Sequence, residues 1–148
     1  GGDLLEEITV TARRVAQPLL PRGIRLNNPG NIRRGTSTWQ GMAPVQTDEY
    51  VRFTEAKWGL RALAKLLSNY HRAGFTTVRR IVNRYAPPVE NETTAYVRHV
   101  CQLMVVQPDQ PLAFPAQLPN LMAAIIRHEN GMQPYSTAEI AEGIRLAA

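Results

Sequence analysis

The 148-residue chain contains one cysteine, Cys101, which excludes an internal disulfide and a thiolate-based zinc site. Val97, Val100 and Met104 surround it at helical spacing, which describes a buried, inert thiol. A nucleophilic Cys101 acting with His99 or His128 is the rival reading of that residue. His71, His99 and His128 include no pair one helical turn apart, so neither a metal site nor a cofactor is expected. No run approaches the roughly 18 consecutive apolar residues that span a bilayer. The first residues also lack the basic region and apolar core of a signal peptide. A soluble domain without membrane insertion is expected, with export left open. Lysine is scarce: Lys57 and Lys65 are the two among seventeen basic residues, which leaves fifteen arginines.

Those seventeen basic residues stand against twelve acidic ones, for a net charge of +5. An arginine-rich surface suits a polyanion, whether nucleic acid, anionic lipid or the bacterial wall, and it also serves plain solubility. Nucleic acid ranks last as a partner. Trp39, Tyr50, Phe53, Trp58 and Tyr70 do not interleave with arginines as a base-stacking platform requires. A hydrophobic content of 44% over this length supports one core and one compact domain.

Residues 1–22 read as an arm or linker, with a short strand at Ile8-Thr9-Val10-Thr11-Ala12 followed by Pro18 and Pro21. The folded domain is expected over 23–148. From Ile24 to Phe53 the chain is rich in Asn, Gly, Thr and Pro, and the alternation Tyr50-Val51-Arg52-Phe53 predicts loops around a small β-hairpin. Leu60, Leu63, Ala64, Leu67 and Tyr70 then recur at helical spacing and predict a helix over 57–72, ending at Gly74. A second helix is expected over 76–85, capped by Thr76 or Thr77 and stopped by Pro87-Pro88. A third is expected over 92–105 with Asn91 as its cap, and a fourth, mostly apolar and central, over 118–128. Four prolines forbid a regular element over 107–119, and Thr137 is expected to cap a last short helix. The fold class is therefore mainly α with a small β-hairpin, an α+β arrangement.

The richest stretch for chemistry is Ile125-Ile126-Arg127-His128-Glu129-Asn130-Gly131-Met132-Gln133-Pro134-Tyr135. A carboxylate leaving an apolar helix where a glycine breaks it tends to sit half-buried, and desolvation favours its neutral, proton-donating form. The bland alternative is a helix C-cap with Gly131 in the left-handed conformation and Glu129 solvated. Three further segments are candidates. In Arg22-Gly23-Ile24-Arg25-Leu26-Asn27-Asn28-Pro29-Gly30-Asn31-Ile32-Arg33 the amides of Asn27, Asn28 and Asn31 could hold the acetamido and hydroxyl groups of an amino sugar, although turns require the same residues. Glu90 stands near the positive end of the third helix and is a second candidate acid. Asp48 and Glu49 on the hairpin could supply the second carboxylate of a glycosidase cleft, stabilising positive charge or activating water.

The Glu129-Asn130-Gly131 spacing with Pro134 resembles the Glu-Ser-Gly-x-x-Pro signature of goose-type lysozymes and soluble lytic transglycosylases, whose Glu is the catalytic acid/base. The wider set resembles a family of phage virion-associated and prophage muralytic proteins. Its marks are Arg22-Gly23-Ile24-Arg25 with Asn27-Asn28-Pro29-Gly30-Asn31-Ile32, Trp39-x-Gly41, Phe53 followed by Trp58-Gly59-Leu60-Arg61-Ala62, Tyr85-Ala86-Pro87 with Glu90-Asn91-x-Thr93-x-x-Tyr96, and His128-Glu129-Asn130-Gly131 with Pro134-Tyr135. The likeness covers about residues 22–147, and some secreted antibacterial effectors share the style. It implies cleavage of peptidoglycan glycan strands by a muramidase or lytic transglycosylase. Glu129 would be the acid, Asp48 or Glu49 the supporting carboxylate, Glu90 a cleft residue and the alternative acid, and Asn27, Asn28, Asn31, Trp39, Tyr96 and Tyr135 the binding residues. It also implies action in the periplasm or wall after delivery by a virion or secretion system, with virion components, secretion components or an immunity protein as partners. In goose-type enzymes the Glu helix precedes the hairpin, so a lysozyme-like fold here would be circularly permuted, with 118–128 brought back to 27–53. The rivals are a non-catalytic virion or wall-binding module and a peptide-cleaving muralytic enzyme.

Overall fold

The computed structural model describes residues 19–86 and 89–148, so the arm expected over 1–22 and its strand at 8–12 fall almost wholly outside it. Six helices are present among the described residues: α1 (Arg22–Arg25), α2 (Ala56–Arg72), α3 (Val78–Tyr85), α4 (Glu90–Met104), α5 (Leu118–Asn130) and α6 (Thr137–Ala147). The domain is mainly helical. None of these helices is long and apolar enough to cross a membrane.

Helix α2 is the hub. Its apolar stripe buries Leu60, Leu63, Ala64 and Leu67, and it packs most extensively against α6. That crossing is close because Gly143 of α6 carries no side chain: a Cβ there would lie 2.6 Å from that of Leu60. Helix α5 contributes Leu118, Leu121, Met122, Ile125 and Ile126 to the same core, joined by Val78, Ile81 and Val82 of α3 and Val97 and Val100 of α4. Full burial of one such aliphatic side chain stabilises by about 1.5–3 kcal/mol, so this cluster dominates the energetics.

The helix ends follow local chemistry, with two corrections to the expected caps. Thr77 caps α3 by accepting from the Arg80 N–H at 3.2 Å. Helix α4 begins at Glu90, so Asn91 lies in its first turn and is not its cap; the N-cap is Val89, without a side-chain bond. Ser136, not Thr137, caps α6, in a reciprocal box with Glu139. The serine hydroxyl takes the N3 amide and the glutamate takes the cap amide, a pairing that Thr137 one position later cannot make.

The expected hairpin is absent among the described residues, where only two isolated antiparallel bridges occur, Arg33 with Tyr50 and Met42 with Phe53. Backbone bonds around those bridges, such as Arg34 N–H to the Glu49 carbonyl and Val51 N–H to the Ile32 carbonyl, are few, and side-chain amides take the neighbouring groups that a longer ladder would use. Asn28 Oδ1 accepts from the Ile32 N–H, and its Nδ2 donates to the carbonyls of Ile32 and Val51. Gln46 accepts from the Arg52 N–H and donates to the carbonyls of Arg52 and Ala43. A small apolar cluster of Ile32, Val51, Phe53 and Ala62, flanked by Trp39, Met42 and Trp58, seals this loop layer onto α2.

Candidate active site

Helix α5 carries Glu129 to its C-terminal end, where Gly131 takes the left-handed conformation at φ 71° and its N–H closes on the Arg127 carbonyl. The apolar run before it leaves the carboxylate half-buried. Asn31, itself at φ 52°, donates Nδ2 to Glu129 Oε1 at 3.0 Å. One residue further, Asn130 donates to the Pro29 carbonyl at 2.7 Å. The end of the chain therefore does return to the Asn-rich loop, across 98 and 101 residues of sequence.

Gly23 makes this junction sterically feasible. A Cβ there would stand 2.4 Å from Asn31 Oδ1 and 2.6 Å from Asn130 Oδ1. With the oxygens of both amides packed against that α-carbon, their nitrogens point outward, toward Glu129 and Pro29. Gly59 has a parallel role, since a Cβ on it would meet the Asn27 carbonyl at 1.8 Å.

Two cleft arms meet at Glu129 and Ala86. The first, about 490 Å³, is lined by Asn31, Arg33, Tyr50, Leu66, Tyr70 and Tyr85; the second, about 340 Å³, by Glu92, Thr93, Ala95, Tyr96 and His128. A larger cavity of about 540 Å³ lies away from Glu129, beside Arg79, Arg98 and Cys101, and has no carboxylate in its lining. Chemistry rather than volume marks the site.

Burial raises the Glu129 carboxyl above its ordinary range, and Asn31, Tyr96 and Arg33 each pull it partly back. Desolvation thus favours the proton-holding form while donors stabilise the charge that forms after proton loss. The buried Tyr96 hydroxyl is near enough to influence Glu129 yet makes no well-formed hydrogen bond of its own. Burial, then the Glu129 charge, pushes the Tyr96 and Tyr85 phenols far up, so both remain neutral; Tyr85 donates to the Gly30 carbonyl. Behind Tyr96, the His128 ring stacks on it at 3.8 Å between centroids, and His128 Nδ1 lies 2.9 Å from His99 Nδ1. Burial, then His99, lowers the His128 pKa.

The other expected site residues have different positions. Asp48 pairs with Arg22 at 3.6 Å, and Glu49 pairs with Arg22 at 3.2 Å and Arg33 at 3.4 Å; neither carboxylate lines the cleft. Asn28 has no accessible surface and has both amide atoms engaged internally, so its expected role as a sugar ligand gives way to a scaffold role. Asn27 likewise donates to the Phe53 carbonyl at 3.1 Å. Trp39 packs in the small apolar cluster, and Tyr135 packs against the main core, where burial and the nearby Glu139 push its phenol up to about 12. The Glu90 side chain lies outside what the structure describes. Of the expected binding residues, Asn31 and Tyr96 line the cleft. Arg33, Tyr50, Tyr70, Tyr85 and His128 join them, although sequence patterns do not single them out as binders. Tyr70 and Tyr85 lie on helical stripes whose periodicity reports burial alone, and their hydroxyls are the signal that periodicity ignores.

No protein-family model matches the chain. It belongs to a family of phage proteins. The relative that shows this is Protein P5 of Pseudoalteromonas phage PM2, 33% identical over 127 residues that cover 82% of this chain and 79% of that protein.

Proposed function

We propose that the domain cleaves the glycan strands of bacterial peptidoglycan, as a muramidase or lytic transglycosylase with a lysozyme-like, circularly permuted arrangement around Glu129. The observation that carries this reading is the placement of Glu129, half-buried where two cleft arms meet and hydrogen-bonded to Asn31. Protonated Glu129 donates to the glycosidic oxygen as the carbon–oxygen bond breaks, and the resulting carboxylate then takes a proton from the attacking nucleophile. That nucleophile is water in hydrolysis and a hydroxyl of the strand itself in transglycosylation. With Asp48 and Glu49 bound to arginines, a mechanism using Glu129 as the one acid/base suits the cleft better than a paired-carboxylate mechanism. Membership in a phage protein family supports delivery to the periplasm or wall by a virion.

Glu129→Gln keeps the shape and removes the proton. It is expected to reduce clearing of murein in a zymogram by about 10²-fold or more, in the range of general-acid contributions. Unchanged clearing would refute the assignment. Mass analysis of products from the wild-type protein separates reducing ends from anhydro-sugars and free peptides. The engagement of Asp48 and Glu49 by arginine also suits a second reading, a wall-binding module without turnover. Binding to murein with no clearing by the wild-type protein would decide for it.

A further inference from the structure

Away from the cleft arms, the outer face of α3 carries Arg79, Arg80, Asn83 and Arg84, which with Phe75 line a separate groove of about 350 Å³. Within it, Arg79 alone is neutralised, by Asp109 at 2.8 Å. Arg80 is held in place by its bond to the Gly74 carbonyl at 2.9 Å, which fixes the guanidinium without cancelling its charge. Arg84 has neither a carboxylate nor a carbonyl partner among the described residues, and it lies over both Phe75 at 5.8 Å and Tyr70 at 5.9 Å. Arg80 covers Phe75 at 5.1 Å. The result is two cations uncompensated among the described residues, spaced i,i+4 along one helix face, about 5–6 Å apart at their Cβ atoms, Arg80 held by its hydrogen bond and Arg84 resting on two rings. Tyr70, beneath Arg84, is also a wall of the cleft, so the groove opens directly beside it.

We propose that this groove binds a linear phosphodiester polymer of the bacterial surface, a second binding function independent of Glu129 chemistry. Guanidinium forks match phosphate oxygens, and charges one helical turn apart suit closely repeating phosphates better than carboxylates borne once per disaccharide. The occupant is a strand without bases: the one aromatic ring in the groove, Phe75, lies against both Arg80 and Arg84, so a base stacking there competes with the two guanidiniums that hold the phosphates. A bilayer surface fits poorly, because the exposed large apolar residues, Leu19, Leu20, Val45, Val89, Leu103 and Val105, all lie off α3 and outside the groove lining.

The test is retention of the full chain on immobilised poly(glycerol phosphate) over a salt series. Arg80→Gln/Arg84→Gln should bind at least about tenfold more weakly and lower the log–log salt slope by about two, one for each phosphate that is no longer neutralised. Arg84→Gln alone removes a side chain with no hydrogen bond among the described residues and should show about half that change in slope, which separates the effect from misfolding. The remote pair Arg52→Gln/Arg127→Gln should bind as wild type does. Equal binding by the double variant would overturn the proposal. So would competition by duplex DNA that matches or exceeds the polymer at equal phosphate concentration.

Discussion

The helical core and the loop layer over residues 26–54 are held together by opposite means. The core relies on aliphatic burial: Leu63, Leu67, Ile125 and Ile126 have essentially no accessible surface. The loop layer relies on hydrogen bonds: a few backbone bonds around two bridges, extended by the side chains of Asn28 and Gln46 where a longer β-ladder would continue. Glu129 sits on the seam and draws on both. The apolar helix supplies the desolvation that raises its pKa, and the loop supplies the Asn31 donor that moderates it. Neither half alone makes a tuned acid.

Mutations can break this contrast at each side. A large stability effect is expected from Asn28→Ala, which leaves the Ile32 N–H and the Val51 C=O unpaired in a dry site, while the Ile32 C=O keeps the Val51 N–H. At about 1–3 kcal/mol per orphaned group, the loss should reach at least about 2 kcal/mol by denaturant titration. Ile125→Ala should cost about 2–5 kcal/mol through cavity formation, with the m-value unchanged. If Asn28→Ala costs less than about 1 kcal/mol, the amide network is not what holds the loop layer.

The next effect bears on the seam. Because burial raises the folded pKa of Glu129 above its ordinary 4.5, its contribution to stability is fully present below the unfolded value and is lost as pH rises through the folded one. Glu129→Gln should therefore melt at a higher temperature than wild type at pH 7, and the gain should vanish near pH 4. A lower melting temperature at pH 7 would show that the charged form is favoured by the fold. Asn31→Gly keeps a positive φ accessible and deletes the donor to the carboxylate. It should move the alkaline limb of the activity profile upward, since the bond it removes favours the charged form. A limb that stays in place would mean that Asn31 does not tune the acid.

The smallest effect concerns His128, whose folded pKa lies below the ordinary 6.5. Its contribution is complete above about pH 6.5 and declines as pH falls below the unfolded value, where the unfolded chain takes up the proton first. His128→Phe retains a ring against Tyr96 and should flatten the stability profile on the acid side of about pH 6.5. An unaltered slope would place the titration elsewhere.

The helices are legible in the sequence because apolar spacing reports burial directly: the pattern predicts 57–72 where Ala56–Arg72 is helical, and 118–128 extends only to Asn130. Glu129 is legible for a related reason, since an apolar run broken by Gly131 foretells a half-buried carboxylate. The hairpin expectation fails because alternation over Tyr50–Phe53 reports which side chains face inward and is silent on what bonds the backbone. Asn28 shows the same ambiguity, for an amide that suits a sugar suits a carbonyl equally well. The roles of Asp48 and Glu49 depend on Arg22 and Arg33, and no local pattern pairs residues that far apart. The Asn31–Glu129 junction is legible only as a requirement that a cleft imposes.

That junction has a consequence for how the protein is made. Its two residues are 98 positions apart, so during translation the N-terminal loop waits for nearly the whole domain before its acid arrives. A nascent or prematurely terminated chain ending before Glu129 contains most of the fold's apolar surface and none of the proposed activity. A cell synthesising the protein would meet the proposed acid only once helix α5 had been translated and had reached the Asn31 loop.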